Sequence, residues 1–381
     1  MLTRAAEILE NDQPGARRTL SIEGLRGVAV ALVFLVHYFA VFGGLWSAGA
    51  VARLAATAGH YGVDLFFLIS GYLIYGALLR GPTPYGRFVK RRIQRLYPAF
   101  TAVFCAYLAL SFLVPGESNL PPGRGDLLLY VAENYLLLPG LLPIEPMITV
   151  AWSLSFEVFF YLALPLCVGA LRLRERPPGT RMACVLAAGT VLFAITAACD
   201  ASMHARMLMF VAGMALVEWR SVARTASARA HRLALHLALA SIPVGLVLET
   251  AGVLGSLALY VRILWLALVL PVVGASAFSG AGPLAAALSW RPLRWLGNMS
   301  YSYYLLHGLA LKGMGLVAAR LLPGAGAAAW WLFLPLAFGG TVVASFVLYA
   351  LVEHPLSIAR AAGSAAAPAV PRPVVPRSRA A

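Results

Sequence analysis

The sequence predicts an all-α, polytopic membrane protein with about ten transmembrane helices and both termini cytoplasmic. Three observations carry that prediction. Of 381 residues, 61% are hydrophobic and 12% are charged, against about 45–50% apolar and about 25% charged in soluble domains. Apolar runs of about 20 residues, long enough to cross roughly 30 Å of hydrocarbon, recur along the chain. The charge balance is 30 Lys+Arg against 15 Asp+Glu, a net +15, and the basic residues fall in alternate connections. This composition excludes a soluble enzyme, a disordered chain, a collagen-like repeat and a disulfide-framed secreted domain. In so apolar a chain the basic excess reads as orientation, so no nucleic-acid partner is expected.

The spans are read at 27–45, 61–79, 97–114, 151–171, 182–199, 204–219, 233–250, 255–278, 296–319 and 327–352. Residues 1–26 are polar and basic with no cleavage site after a short apolar core, so the first span serves as its own insertion signal. With a cytoplasmic N-terminus, 24 Arg and Lys lie inside, including the run Arg87 to Arg95, and five lie outside: Arg53, Arg124, Arg206, Arg262 and Arg320. Lys312 lies within a span. That asymmetry supports both the orientation and the even count. Residues 127–142 are apolar but short and carry Glu133 and Asn134; they read as a re-entrant or surface segment of an external loop, 115–150. The chain divides into an N-terminal tail, 1–19, a membrane domain, 20–355, and an Ala/Pro-rich cytoplasmic tail, 356–381, whose composition predicts disorder. Cys105, Cys167, Cys184 and Cys199 lack CxxC spacing and read as small buried apolar residues. No metal-binding or nucleotide-loop motif is present, and no metal is expected.

Ionisable groups inside spans cost a few kcal/mol and are functional candidates by default. In the first span, Arg26 and His37 are eleven helical steps apart, about 16 Å, which places the imidazole near the bilayer midplane. It reads either as a base, proton carrier or ligand, or as a hydrogen-bond partner between helices. Arg92 and Arg95 share a helical face. With Arg26 they suit a cytoplasmic phosphate site; the competing reading is topology plus anionic lipid headgroups. In the second span Asp64 lies one turn inside the outer face and Ser70 near midplane depth. In the fourth, Ser153, Glu157 and Tyr161 recur every four residues on one face. For Asp64 and Glu157 the alternative is a carboxylate stabilised by a helix N-terminus. Trp152 reads as an interface anchor. The ninth span carries Asn298, Ser300 to Tyr304 and His307. Hydroxyls at that density hold helices together, whereas His307 reads equally as structural or functional.

Six segments, in order, resemble the acyltransferase-3 family of bacterial integral-membrane O-acyltransferases: IEGLRGVAVALVFLVHYF, GVDLFFLISGYLI, RRIQRLYPAF, WSLSFEVFFYLALPL, LGNMSYSYYLLH and VEHP. The resemblance runs from about Leu20 to Pro355. It puts the family's Arg–ten residues–His pattern on Arg26 and His37, its Arg-x-x-Arg pattern on Arg92 and Arg95, and its Trp-Ser-Leu…Glu element on Trp152 to Glu157. It implies transfer of an acyl group from cytoplasmic acyl-CoA, acetyl-CoA in particular, to a hydroxyl. The acceptor would be a carbohydrate on a surface or exported glycan or on a glycosylated small molecule, and the protein a multi-pass constituent of the inner membrane. Under this reading Arg26, Arg92 and Arg95 bind the donor's phosphates. His37 is general base or acyl-accepting nucleophile. Asp64 or Glu157 orients the imidazole or meets the acceptor, and Ser70, Ser153, Tyr161 and His307 contact substrate. Many relatives carry an extracytoplasmic hydrolase-like domain after the last span. This sequence ends 26 residues after Pro355, so the expectation is either direct acylation of the acceptor or completion by a separate extracytoplasmic acyl-transfer partner. Two rivals stand beside this reading. One is a transporter using the midplane His and the carboxylates as proton sites. The other is a different membrane acyltransferase fold with His307 as the catalytic residue.

Overall fold

A computed structural model describes residues 7–10, 20–46, 49–222, 228–253 and 255–358. Of the tail expected at 356–381, residues 356–358 belong to the last helical stretch and the rest, like most of the 1–19 segment, lies outside the described residues. Helices form where the apolar runs were read. They are α1 Leu20–Phe42, α2 Ala50–Gly59, α3 Tyr61–Arg80, α4 Tyr85–Leu113, α5 Arg124–Tyr135, α6 Ala151–Ala170, α7 Pro178–Ala198, α8 Ser202–Ala205 and α9 Leu208–Val222. Then follow α10 Ala228–Thr250, α11 Ala258–Ala277, α12 Pro283–Leu288, α13 Arg291–Asn298, α14 Ser300–Leu321 and α15 Ala327–Leu348, which continues into a π-helical stretch, Tyr349–Ile358. No strand occurs among the described residues; Pro139 and Leu142 form an isolated bridge. The protein is an all-α, multi-pass membrane protein.

Eight helical segments among the described residues are long and apolar enough to cross a membrane. They coincide with eight of the ten expected spans. The other two are also helices. α9 has 15 residues, short of the roughly 20 a span needs. α14 has 22 residues, but its first half carries the hydroxyls and His307. Three boundaries differ from the sequence reading. The second apolar segment begins at Ala50, because α2 and α3 are continuous through His60, which keeps helical dihedrals (φ −62°, ψ −27°). The basic run from Tyr85 to Leu96, read as a loop, forms the first turns of α4. The 127–142 segment does not span: α5 has 12 residues and ends in irregular chain. There Asn134 donates to the Tyr130 and Glu145 carbonyls, and its Oδ1 accepts the Met147 N–H at 2.6 Å.

Helices in lipid gain no hydrophobic drive from meeting each other, so close approach through small residues matters. α3 and α9 cross at Gly71 and Gly213. A Cβ on Gly71 would lie 2.1 Å from the Phe210 carbonyl oxygen, and one on Gly213 2.1 Å from that of Leu68. α1 packs on α13 in the same way, with a Cβ on Gly297 1.8 Å from the Glu23 carbonyl oxygen. The segment Ala50–Arg80 is the most buried span, 61% over its apolar window, whereas Arg229–Thr250 is 6% buried. α3 therefore sits at the centre and α10 at the rim. Cys105, Cys167 and Cys199 are exposed on the helix surface and Cys184 is half-buried. This corrects the expectation of buried cysteines: small apolar side chains fit a lipid-facing surface as readily as a core.

Several charges inside the bundle are paired. Asp64 accepts from Arg206 Nε at 3.0 Å, and Glu249 from Arg262 at 2.5 Å. Glu218 accepts from Arg181 at 2.8 Å and from Tyr75 at 2.6 Å, and Arg294 binds Glu10 and Glu23. Arg206 and Arg262, counted above as outer topology residues, are buried counter-ions.

Candidate active site

The central helices place the candidate residues around two cavities. The first has a volume of ≈ 310 Å³ and receives side chains from five helices. α1 supplies Arg26, α3 Ser70 and Arg80, α4 Arg92 and Arg95, α6 Ser153, Glu157 and Tyr161, and α14 Ser300, Tyr301 and Tyr304. The four-residue period of Ser153, Glu157 and Tyr161 puts all three on the face that looks into this space. Four arginines and one carboxylate line it, so its field favours an anion.

Within the cavity Glu157 is the organising acceptor. Its Oε1 receives hydrogen bonds from Ser70 Oγ at 3.2 Å and from the Tyr161 hydroxyl. The Arg92 guanidinium lies 5.3 Å from the centre of the Tyr161 ring and 5.1 Å from that of Phe88, a cation–π sandwich that holds the fork in place. Two buried polar atoms here have no protein partner: Arg92 Nε and Ser300 Oγ. Buried polar groups are nearly always paired, and unpaired ones call for a reason; both line the arginine cavity. Tyr301 donates to the Leu96 carbonyl at 2.8 Å and ties α14 to the basic helix. Behind it, Glu353 of the π-helical stretch accepts from Ser302 N–H at 3.0 Å and from Ser302 Oγ at 2.5 Å, so the last apolar segment is fixed to the start of α14.

The second cavity, ≈ 530 Å³, has His37 in its lining together with residues of α4, α14 and the 115–150 segment. His37 Nδ1 lies 2.9 Å from the Val33 carbonyl oxygen. A carbonyl only accepts, so for the neutral ring Nδ1 carries the proton and Nε2 is left as the lone-pair nitrogen. His307, fully buried, repeats the arrangement against the Tyr303 carbonyl at 2.9 Å, and its Nε2 has no partner. The two imidazoles meet edge to face with centroids 4.8 Å apart. Sequence reading named both histidines but did not pair them.

A hydrogen-bonded trio links the linings of the two cavities. The Tyr304 hydroxyl lies 2.6 Å from Ser153 Oγ and 3.0 Å from the Val150 carbonyl oxygen, which Ser153 Oγ also reaches at 3.2 Å. Tyr304 and Ser153 face the arginine cavity, whereas Val150 faces the histidine cavity. His307 lies beside this trio, 6.0 Å from the Tyr304 ring.

The sequence-derived candidates therefore sort into three places. Arg26, Arg92, Arg95, Ser70, Ser153, Glu157 and Tyr161 converge on the first cavity. His37 lines the second, and His307 packs against the His37 ring without lining either cavity. Asp64 lines neither: it is buried, bonded to Arg206, with its other oxygen unpartnered. The expectation that Asp64 or Glu157 orients the imidazole is corrected: His37 bonds Val33, Asp64 bonds Arg206, and Glu157 bonds Ser70 and Tyr161. Trp152, read as an interface anchor, packs 5.3 Å from the Arg206 guanidinium. Arg80, Ser300 and Tyr304 also line the first cavity and were not among the candidates, while Glu353 lines neither cavity and bonds Ser302 behind it. The VEHP segment was the one signal pointing to Glu353.

Comparison with known proteins places these features in a family. The acyltransferase-3 family model, described as an acyltransferase domain, matches residues 19–350. The chain is 33% identical over 163 residues to BcsY of Komagataeibacter xylinus, covering 40% of this chain and 38% of that one. It is 31% identical over 171 residues to the O-acetyltransferase OatA of Staphylococcus aureus, covering 41% of this chain and 26% of OatA. The exopolysaccharide production protein ExoZ of Rhizobium meliloti is 30% identical over 311 residues, 79% of this chain and 90% of ExoZ. The chain thus spans well under half the length of BcsY and of OatA. No solved structure matches it.

Proposed function

The chain belongs to the acyltransferase-3 family, and from that premise we propose that it is an inner-membrane O-acyltransferase with cytoplasmic termini. It moves an acyl group, acetyl above all, from cytoplasmic acyl-CoA to a carbohydrate hydroxyl on a surface or exported glycan or a glycosylated small molecule. The observation that carries this reading is the arginine cavity beside a second cavity lined by the half-buried His37, which packs against the buried His307. Coenzyme A is polyanionic at its nucleotide end. Arg26, Arg92 and Arg95 suit its phosphates, gripped by parallel guanidinium hydrogen bonds. Arg92 Nε and Ser300 Oγ are the groups that lack a protein partner there.

The chemistry then needs one base. His37 Nε2, bare in the neutral ring, takes the proton of the acceptor hydroxyl as its oxygen bonds to the thioester carbonyl carbon. The carbon–sulfur bond breaks, and the leaving thiolate takes up the proton that His37 had accepted, which restores the neutral ring. Glu157 does not touch the histidine. It holds Tyr161 and Ser70 and offsets part of the charge of four arginines, so the donor site stays assembled.

The test uses purified full-length protein with radiolabelled acetyl-CoA. Arg26→Ala is expected to raise the acetyl-CoA KM at least tenfold. His37→Ala is expected to abolish transfer while coenzyme A still binds. Normal turnover in His37→Ala with loss in His307→Ala would show that the base is misassigned. Failure of the wild type to bind acyl-CoA sinks the enzyme reading.

A further inference from the structure

Resting on the O-acyltransferase reading, we propose that Arg80 is a specificity residue of the donor site: it binds the 3′-phosphate of coenzyme A and so distinguishes the complete donor from one without that phosphate. Four guanidiniums line the ≈ 310 Å³ cavity, and Arg26, Arg92 and Arg95 leave Arg80 as the fourth. Among the described residues Arg80 makes no hydrogen bond and no ion pair. Arginines elsewhere in the bundle do have such partners: Arg181, Arg206, Arg262 and Arg294 each bond a carboxylate. In this cavity the one lining carboxylate is Glu157, and its Oε1 accepts from Ser70 and Tyr161 instead. Arg80 is the last residue of α3, where a cation also gains from the helix dipole. Its place in the cavity lining goes beyond that role.

Position along the cavity sets Arg80 apart from the other three. α3 lines the cavity from Val63 to Ile74 and then again at Arg80. At 1.5 Å per residue, Arg80 stands about 9 Å along the axis beyond Ile74 and about 15 Å beyond Ser70. Ser70 bonds Glu157, and Tyr161, one turn along α6 from Glu157, carries the Arg92 guanidinium against its ring. Arg92 therefore lies nearer the level of Ser70 than Arg80 does. Arg26 and Arg92 are half-buried, whereas Arg80 and Arg95 are exposed. Arg95 is within electrostatic reach of both Arg26 and Arg92, so these three form one cluster. Arg80 is the arginine contributed by the α3 wall.

Coenzyme A has the same two levels. Its diphosphate is joined to the pantetheine arm, so it sits where the arm enters the apolar part of the cavity, beside the half-buried Arg26 and Arg92. Its 3′-phosphate hangs from the ribose, one sugar further from the arm, and falls toward the exposed end. A monoester phosphate presents several oxygens to one guanidinium, which grips it by two parallel hydrogen bonds. Dinucleotide sites use the same economy: one arginine accommodates the extra phosphate on a ribose. The Arg26, Arg92 and Arg95 cluster thus holds what every nucleotide-linked donor shares, and Arg80 reads what only the complete one carries.

The test displaces radiolabelled acetyl-CoA from purified full-length protein with unlabelled coenzyme A and with 3′-dephospho-coenzyme A. The wild type is expected to bind coenzyme A about tenfold more tightly than the dephospho form. Arg80→Ala is expected to weaken coenzyme A about tenfold and leave the dephospho form within about twofold of wild type, which erases the preference. A purely structural arginine would shift both ligands together. Arg95→Ala is expected to weaken both in proportion, and Arg87→Ala, an exposed arginine outside the lining, to change neither. Where Arg80→Ala fails to fold, Arg80→Lys carries the test: it keeps the charge at the helix end without the fork, and its preference is expected to fall to about threefold. Equal binding of both ligands by the wild type overturns the assignment and leaves the donor site standing. So does a full preference that survives Arg80→Ala or Arg80→Lys, or one that vanishes with Arg95→Ala. A wild type that binds neither ligand overturns the parent reading, and the assignment with it.

Discussion

Removing both Asp64 and Arg206 is expected to do less harm than removing either one. Asp64 is fully buried and Arg206 is 3% exposed, with Nε 3.0 Å from Oδ1. Arg206 has two further supports: it donates to the His60 carbonyl at 2.8 Å, and its guanidinium lies 5.3 Å from the Trp152 ring. Asp64 has no second hydrogen bond, its other oxygen being unpartnered, but the buried Arg262 stands within electrostatic reach of both partners. Breaking a buried pair from one side costs about 3–5 kcal/mol, because a charge is left without compensation. Arg206→Met leaves Asp64 with Arg262 alone, and Asp64→Leu leaves Arg206 facing a like charge, so each single change should fall in that range, about 3–5 kcal/mol. The double variant replaces a pair by apolar groups, which is often neutral, so the two changes should couple by several kcal/mol. Thermal unfolding of detergent-purified protein reads the stability, and release of thiol from acetyl-CoA reads the activity. Asp64 lies in the GVDLFF segment and its position invites a catalytic role, yet its bonds say that it builds the bundle. The double variant should therefore fold and turn over. Additive single effects would show that the pair is no energetic unit. A double variant that folds like wild type but is dead would show that Asp64 acts on substrate.

Two further outcomes follow from the same geometry. Arg92→Lys keeps the charge but removes the planar fork and the buried Nε; a hydrogen bond to a charged group is worth about 1.5–3 kcal/mol. The acetyl-CoA KM should rise roughly ten- to a hundredfold with kcat nearly unchanged, as steady-state thiol release would show. Asn134→Ala strands the Met147 N–H, whose partner Oδ1 lies at 2.6 Å, at a cost of about 1–3 kcal/mol. Limited proteolysis between residues 136 and 149 should accelerate, whereas coenzyme A binding should not change.

What the sequence made legible was local. Helices appear where apolar runs of span length occur, because a backbone in lipid must satisfy its own hydrogen bonds. The Ser153–Glu157–Tyr161 face and the Arg92–Arg95 face are consequences of helical period, and both do converge on one cavity. The missing part was which helix meets which. His37 and His307 stand 270 residues apart in the chain and 4.8 Å apart in space. That contact lies where α1 crosses α14, a crossing at which a Cβ on Gly315 would come within 2.6 Å of Val41 Cγ1; a fit set by the absence of a side chain leaves no periodic pattern. Charge counting misled for a related reason. Arg206 obeys no topology rule once Asp64 is its partner, and a sequence cannot show that a basic residue has been drafted as a counter-ion. The same blindness made Asp64 look like a helper of His37.

The hydrogen-bonded trio that links the two linings bears on how an acyl group is passed through a membrane without leakage. An open channel joining a donor cavity to an acceptor cavity would admit water to the thioester and ions to the bilayer. A solid apolar wall would stop both leakage and transfer. The Tyr304–Ser153–Val150 triangle is a third solution. Its two hydroxyl protons make two hydrogen bonds at a time among three contacts, each worth about 0.5–1.5 kcal/mol net, and they tie residues of one cavity lining to the other. Remote contacts to a large donor can supply energy of that size toward the reacting centre. A donor gripped by several arginines has that binding energy available; free water does not. If the proposed function holds, the separation of His37 from the arginines leaves the energy of donor binding, and not solvent, to bring the two halves together.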